Sequence, residues 1–586
     1  MPYDAPISQM RLTLERVGRL HEMKKGGSAP DLDDETVTAI LDEANRLARD
    51  VLAPLNSIGH REGARLTDEG VIAPQGFRNA YAAFRDGGWM GLAFPHRYGG
   101  QDLPKSLALA VMEMIHASNM AFGLCPLLTF GAIEAILAYG TEDQKSAYLP
   151  KLISGEWTGA MNLTEPQAGS DVGALRTRAT PNEDGTFSLH GQKIYITWGD
   201  HDLAENVIQL VLARLPDAPE GSRGVSLFLA PKFLLDENGA PGDRNNFRCI
   251  GLEKKMGIHG SPTCVMEYSG AKAWLIGEKN RGLAAMFTMM NSARLNVGLE
   301  GVAIAEAARQ SAILYASERK QGSATGVEGA APIIRHPDIR RSIGRITGYV
   351  RAARAICYAC GAAADRARQA EDPAEREAAR LREDLLTPIA KAWSTDRGVA
   401  AADINVQIHG GMGFMYDTPA AQLYLDSRIM PIYEGTNGIQ AIDLVGRKLA
   451  QNNGQGMQDM IREIRTSIAK ARQSNDPHLL AACENLEAGT DALEEATDWM
   501  IRHMRTDRDA ALAGASDYLR LAGDVIGGHF LTVLAMAPFE DSQSSSALAT
   551  AAFYCGDNLA GVRGRVLAIT RASYVVSQMS DSFCGP

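Results

Sequence analysis

The hydrophobic period changes twice along this chain, and the two changes limit what it can fold into more than any other feature. Up to about residue 158, apolar residues recur at helical spacing. Val37, Ile40, Leu41, Ala44, Leu47, Ala48 and Val51 form one such face, opened by Asp34-Glu35 and expected to stop at Pro54. Further helices are expected over about Gln75–Gly88, Ser106–Met120 and Phe130–Tyr139, and T-E-D-Q-K at 141–145 reads as a capping start. Near residue 159 the period becomes two. Thr186–Thr197 alternates, and Val207–Ala213, Gly224–Ala230 and Cys264–Tyr268 are short, β-branched and bounded by turn residues. Short strands without intervening helices predict an antiparallel sheet or small barrel. From about Gly282 the helical period returns and holds to residue 450, with breaks at Gly322–Pro332, Asp372-Pro373 and Gly410–Pro419, so four long helices in a bundle are expected. A further helical block follows, broken at Ser474–Pro477 and around Pro538–Ser546.

The 586 residues are too many for one core. The division read from these patterns is 1–158 helical, 159–281 β, 282–452 helical bundle and 453–586 an additional helical extension, an α+β multidomain chain. With 45% hydrophobic and 22% charged residues the composition is that of a soluble globular protein. The net charge of −11 is spread without basic blocks, which argues against a nucleic-acid partner. No run approaches the roughly 18 apolar residues of a membrane helix, and the opening M-P-Y-D-A-P-I-S-Q-M-R shows no secretory pattern, so a cytoplasmic protein without membrane insertion is expected. Eight scattered cysteines suit a reducing compartment. The single C-x-x-C, Cys357 to Cys360, reads as core packing on a helix and not as a metal or redox site.

Three stretches carry possible chemistry. Arg428–Gln440, R-I-M-P-I-Y-E-G-T-N-G-I-Q, sets Glu434 between Tyr433 and Gly435 after an apolar run, with Thr436 and Asn437 able to cap a helix over Ile439–Leu449. A loop carboxylate flanked by apolar side chains is how a protein strengthens a base, although the commoner state of such a Glu is solvated. Asn162–Gly173, N-L-T-E-P-Q-A-G-S-D-V-G, offers the Thr164 and Ser170 hydroxyls and allows close backbone approach at Gly169 and Gly173. It reads either as a binding loop for a ring edge or phosphate or as a boundary connection. In K-I-Y-I-T-W-G, Lys193–Gly199, Tyr195 and Trp198 either stack on a flat ligand with Thr197 beside it or belong to the core. No dinucleotide fingerprint, P-loop, zinc-protease or hydrolase-elbow motif is present.

Taken in order, L-T-E-P-Q-A-G-S-D (163–171), G-Q-K-I-Y-I-T (191–197), A-S-E-R-K-Q (316–321), Q-I-H-G-G-M-G-F (407–414) and P-I-Y-E-G-T-N (431–437) resemble the acyl-CoA dehydrogenase family. The resemblance implies an N-terminal helical domain, a middle β-barrel domain and a C-terminal four-helix bundle, with FAD between the last two and across a subunit interface. It implies that Glu434 removes the α-proton of an acyl-CoA thioester while a hydride leaves the β-carbon for flavin N5, giving a trans-2-enoyl-CoA. Electrons would pass to an electron-transfer flavoprotein. By position, Thr164, Ser170, Tyr195 and Thr197 would meet the flavin, Arg319 the pyrophosphate, Gln407 and Gly411 the adenosine part, and Thr436 the phosphate side. Ser170, Arg294, Tyr433 and Gly435 would meet the substrate. Two departures stand out: E-R-K-Q-G-S replaces the common E-R-x-x-F-G, and Gly438 stands where relatives often have Gln. The N-terminal run, K-M-G-I-H-G-S-P-T-C-V-M (255–266) and the helical tail are similar to a bacterial branch of that family. That branch includes members acting on 3-methylmercaptopropionyl-CoA in dimethylsulfoniopropionate breakdown. The tail would cover a tetramer-forming surface and leave a homodimer. Alternatives are a general short-, medium- or long-chain acyl-CoA dehydrogenase, an acyl-CoA oxidase using O₂, or a non-catalytic scaffold on the same fold.

Overall fold

A computed structural model describes residues 3–20, 22, 32–537, 541–579 and 585. Met1, Pro2, Cys584 and residues 538–540 of the expected second break in the tail lie outside them.

Helix α1 covers Ile7–Arg16 and α2 covers Asp34–Arg46. Pro54 does not stop the second run as the sequence predicts. A π-turn, Leu47–Leu52, leads directly into α3, Ala53–Glu62, so the chain stays helical past Pro54, the widened turn before it accommodating a residue that has no N–H. A short hairpin, β1 Arg65–Thr67 and β2 Gly70–Ile72, then interrupts the helical region, closed by the Thr67 hydroxyl donating to the Gly70 carbonyl. Helices α4, Phe77–Asp86, and α5, Lys105–Ser118, follow. The expected gap before Phe130 is absent. The Asn119 side chain accepts from the Phe122 N–H at 3.1 Å and starts α6, Met120–Tyr139, which runs through Pro126. Helix α7, Glu142–Ser154, opens with the Thr141/Gln144 capping box the sequence predicts.

The β-region holds β3 Trp157–Asn162, β4 Arg178–Pro181, β5 Phe187–Thr197, β6 Asn206–Arg214, β7 Val225–Pro231, β8 Phe233–Leu235, β9 Pro241–Arg244, β10 Phe247–Leu252 and β11 Thr263–Ile276. β11 pairs with β5, β5 with β4, β4 with β6, β6 with β7, and β7 again with β11. The circuit closes, making a small five-stranded barrel with β10 and β3 added at its sides. The expected antiparallel pattern needs correcting at β6, which runs parallel to both β3 and β4. Inside lie Leu189, Ile196, Val211, Phe228, Met266 and Ala271, contributed alternately along each strand.

Three long helices come next: α8 Gly282–Glu318, α9 Pro337–Gln369 and α10 Pro373–His409. The expected fourth is broken. α11, Pro419–Ser427, ends before the turn that carries Glu434, and α12, Asn437–Asp443, resumes after it and passes into a π-turn, Leu444–Lys448. The extension holds α13 Gln455–Ala471, α14 Pro477–Thr506, α15 Arg508–Ala513, α16 Ala515–Ala535, α17 Asp541–Asn558, α18 Val562–Leu567 and α19 Ser573–Ser577.

The described chain divides into two compact units. One comprises residues 1–5, 43–103 and 114–296, including the barrel; the other comprises 6–42, 104–113 and 297–586, including the long helices from residue 297 and the extension. In the second, the Trp393 indole N–H of α10 donates to Asp524 of α16 at 2.9 Å, and Arg565 of α18 donates to the other oxygen of that carboxylate. Helix α6 corrects one expectation further. It is long and apolar enough to cross a membrane by length and composition, yet 83% of its most apolar window is buried inside the protein, as in a core helix.

Candidate active site

The turn between α11 and α12 is bound on several sides. Glu434 stands at φ +54°, a left-handed backbone that a residue with a Cβ adopts at a cost of roughly 1–3 kcal/mol, and Gly435 follows at φ +84°. Hydrogen bonds hold this geometry. The Lys391 ammonium of α10 donates to the Gly435 carbonyl at 2.9 Å and to Asn437 Oδ1 at 2.9 Å. Gln440 Nε2 donates to the Glu434 carbonyl at 3.2 Å, and the Asn437 amide donates to the Ala392 carbonyl and to Asp396. Thr436 caps α12 by accepting from the Ile439 N–H, the role the sequence predicts for it. Asn437 is the first residue of the helix, and its side chain faces α10 instead of capping.

Tyr433 is half-buried, and its hydroxyl donates to Glu300 of α8. Burial pushes the Glu300 carboxyl up to about 8, with the Glu434 charge adding to the rise and the Tyr433 hydroxyl and Lys391 opposing it. Lys391 and Glu300 were missed in sequence. Their signal was a charged residue inside an apolar helical run, L-T-P-I-A-K-A-W and L-N-V-G-L-E-G-V-A.

In the same unit, Arg319 is exposed where α8 ends, its backbone tied to Tyr315 and Ile333. Gln407 is exposed near the end of α10, and Gly411 lies exposed in the 3-10 turn Gly410–Phe414, with open space where a Cβ would stand. His409 between them stacks on Tyr315 at 4.2 Å. Cys357 and Cys360 are buried on α9, where burial pushes the Cys360 thiol up to about 12.

The other unit carries the loop 162–173 and the end of β5. Glu165, buried, is the anchor of the loop. One carboxylate oxygen accepts from Lys193 at 2.8 Å and from the Thr177 hydroxyl at 2.6 Å, and the other accepts from the Arg176 N–H at 2.6 Å. Burial alone would raise the Glu165 carboxyl, but these donors together hold it down at about 2. Lys193 also donates to the Leu163 carbonyl, and the Thr164 carbonyl accepts from the Ile194 N–H at 3.0 Å, so loop and strand are locked together. Arg214 of β6 holds the far side through the carbonyls of Gly173, Leu175, Pro219 and Gly221. Ser170 and Gly169 remain exposed between these anchors, with no atom near the Gly169 Cβ position. Thr164 and Thr197 are half-buried.

Tyr195 is 59% exposed and held at φ +60°, an unusual backbone for a strand residue. Trp198 belongs to the core: it is buried, and its indole N–H donates to the Ala121 carbonyl at 3.2 Å, so of the two aromatics only Tyr195 has a free face. Arg294 lies buried on α8 and donates to Asn291 at 3.4 Å.

Four family models cover the chain in sequence. Residues 34–156 match the acyl-CoA dehydrogenase N-terminal domain, 160–271 the middle domain, 280–450 the C-terminal domain and 460–580 a domain described as acetyl-CoA dehydrogenase C-terminal like. The 3-methylmercaptopropionyl-CoA dehydrogenase of Ruegeria pomeroyi is 42% identical over 542 residues, 92% of this chain and 91% of that protein. The solved butyryl-CoA dehydrogenase of Megasphaera elsdenii superposes with a TM-score of 0.60 at 27% identity, over 72% of this chain and 99% of that one. Caenorhabditis elegans ACDH-11 reaches a TM-score of 0.77 at 19% identity over 95% of this chain and 92% of its own, a likeness of fold that includes the extension. A match of this depth along nearly the whole length leaves one conclusion: the chain belongs to the acyl-CoA dehydrogenase family, FAD-dependent oxidoreductases acting on acyl-CoA thioesters.

Proposed function

We propose that this protein oxidises a short or medium acyl-CoA to its trans-2-enoyl-CoA, with Glu434 as the base for the α-proton and FAD as cofactor. The observation carrying the assignment is the turn itself: a carboxylate held in left-handed backbone, with the carbonyls of Glu434 and Gly435 both bound from neighbouring helices. Strained backbone fixed so firmly is characteristic of a site whose geometry matters to function.

The donor set of the loop and of the end of β5 also fits a flavin. The Thr164, Ser170 and Thr197 hydroxyls suit the polar edge of a flat heteroaromatic ring, and the open space at Gly169 admits close backbone approach. We assign Tyr195 to the ring face, Arg319 to the pyrophosphate, Gln407 and Gly411 to the adenosine part and Thr436 to the phosphate side. Ser170, Arg294, Tyr433 and Gly435 are assigned to the substrate. When bound, FAD supplies the hydride acceptor. The chain's own residues do the rest. Tyr433 and Met430 shield Glu434 from water, which strengthens it as a base. Its carboxylate takes the proton from the α-carbon, and its backbone N–H donates to the thioester oxygen as charge develops there. Fixing base and substrate in one geometry contributes roughly 7–11 kcal/mol through orientation.

For the substrate, 3-methylmercaptopropionyl-CoA is the first candidate, because the R. pomeroyi relative is named for it and matches across nearly the whole chain. A role in dimethylsulfoniopropionate catabolism goes with that candidate. The proposal includes electron-transfer flavoprotein as acceptor, a homodimer with the extension over the surface that would otherwise build a tetramer, and the functional division 1–158, 159–281, 282–452 and 453–586. It also includes a cytoplasmic location, supported by seven described cysteines that are all free thiols. Anaerobic addition of acyl-CoAs of graded length, with the methylthio thioester among them, tests the reading: the preferred substrate bleaches the flavin fastest. No bleaching with any thioester refutes dehydrogenation; in a separate aerobic assay without another acceptor, peroxide formed in step with substrate loss refutes the assigned acceptor.

A further inference from the structure

Glu300 is fully buried on α8, and its carboxyl group is only half satisfied. Oε2 accepts from the Tyr433 hydroxyl, whereas Oε1 has no hydrogen-bond partner among the described residues. An ionised carboxylate in such a place would ordinarily gather several donors or a cation. Lys391, the nearby cation, directs its ammonium instead to Gly435 and Asn437. Farther along α8, Glu306 shows the contrast: equally buried, it is paired with Arg309 and Arg354.

We propose that Glu300 is a positioning residue for proton abstraction: through Tyr433 it fixes the turn preceding Glu434, and as a neutral carboxylic acid it spares that base a like-charged neighbour. The inference rests on Glu434 being the base. The charged and titratable groups facing Glu300 are Lys391 from α10 and Tyr433 and Glu434 from the turn. Burial sets its titration at about 8. Below that pH Glu300 is neutral and places no charge beside Glu434. Above it, the second negative charge raises the proton affinity of Glu434, so the rate of proton abstraction changes with pH at the Glu300 titration as well as at that of Glu434. The Tyr433 hydroxyl donates to Glu300 and favours its ionised form, so removing that hydroxyl moves the titration upward.

The test is the flavin-bleaching rate of the FAD-loaded enzyme against pH, in the wild type, Glu300→Gln and Tyr433→Phe. The wild type should show an ionisation near 8, Glu300→Gln should lose it while keeping that of Glu434, and Tyr433→Phe should shift it to higher pH. An alkaline ionisation absent from the wild type, or unchanged in Glu300→Gln, overturns the proposal. A wild type that no acyl-CoA bleaches is instead a failure of the functional reading. A second readout needs no turnover and no folded variant at position 300. pH-difference infrared spectra of the wild type and Tyr433→Phe should show a protonated carboxylic-acid band that disappears on alkaline titration, later in Tyr433→Phe. No such band, or one indifferent to Tyr433, also overturns it.

Discussion

The Lys391 ammonium lies 2.9 Å from the Gly435 carbonyl, so a cation buried in the middle of α10 holds the turn on which Glu434 stands. Its charge also draws the neighbouring carboxyl groups toward ionisation. Lys391→Met keeps most of the side-chain volume and removes the donor, leaving the half-buried Gly435 carbonyl without this partner and Asn437 Oδ1 with only the Thr395 hydroxyl at 3.4 Å, at a cost of about 1–3 kcal/mol. The expected result is a lower thermal midpoint and a flavin-bleaching rate reduced by about tenfold or more, since 1.4 kcal/mol of lost alignment is already a factor of ten. Stopped-flow reduction and a melting curve on the same sample check both.

Glu165 ties the loop 162–173 to β5 through Lys193. Glu165→Gln leaves that ammonium buried without its counter-charge, a loss of about 3–5 kcal/mol. Urea unfolding measures the cost, and FAD retention after dialysis reports the loop. The pH dependence has a definite sign. The folded carboxyl is held below its ordinary 4.5, at about 2, so its stabilisation is complete above pH 4.5 and is lost as pH falls from there through 2. Glu165→Gln should flatten that part of the acid-unfolding curve.

Asp524 accepts from Trp393 and Arg565 and lies 4.0 Å from Arg397, joining the extension to the bundle. Asp524→Ala strands two guanidinium groups and an indole N–H, and about 3–5 kcal/mol of stability should go with it. Its neighbour Gly523 offers a steric test of the same joint. A Cβ there would come within 2.3 Å of Trp393, so Gly523→Ala should cost about 1–3 kcal/mol by overpacking. Thermal unfolding measures both, and faster proteolysis within 453–586 locates the damage.

Arg319 is exposed at the end of α8. Arg319→Ala should leave the melting curve of the apoprotein within about 0.5 kcal/mol of wild type, as surface substitutions do, while weakening FAD binding. Flavin occupancy after dialysis decides: full retention contradicts the assignment of Arg319 to the pyrophosphate.

Local patterns in the chain are readable where one residue's chemistry decides the outcome. The period switches near 159 and 282, the Thr141 capping box and the Thr436 cap all depend on neighbours a few positions away. Barrel closure does not, because β7 must meet both β6 and β11, and nothing in Val225–Pro231 records the second pairing. Pro54 misleads because a proline accommodated by a widened turn and one just beyond a helix end look alike until the π-turn before it is seen. At the site, Glu434 announces itself through its glycine and its apolar approach. Glu300 and Lys391 lie 134 and 43 positions from it in a chain of 586, inside helical runs where a charged residue ordinarily reads as a solvated face.

The most direct test of the account is anaerobic reduction of the bound flavin by the preferred acyl-CoA in wild type and Glu434→Gln. The amide cannot accept the α-proton, so the variant should fold, keep FAD and bleach at least about 10²–10⁴-fold more slowly. A Glu434→Gln enzyme that bleaches at the wild-type rate would contradict the central claim.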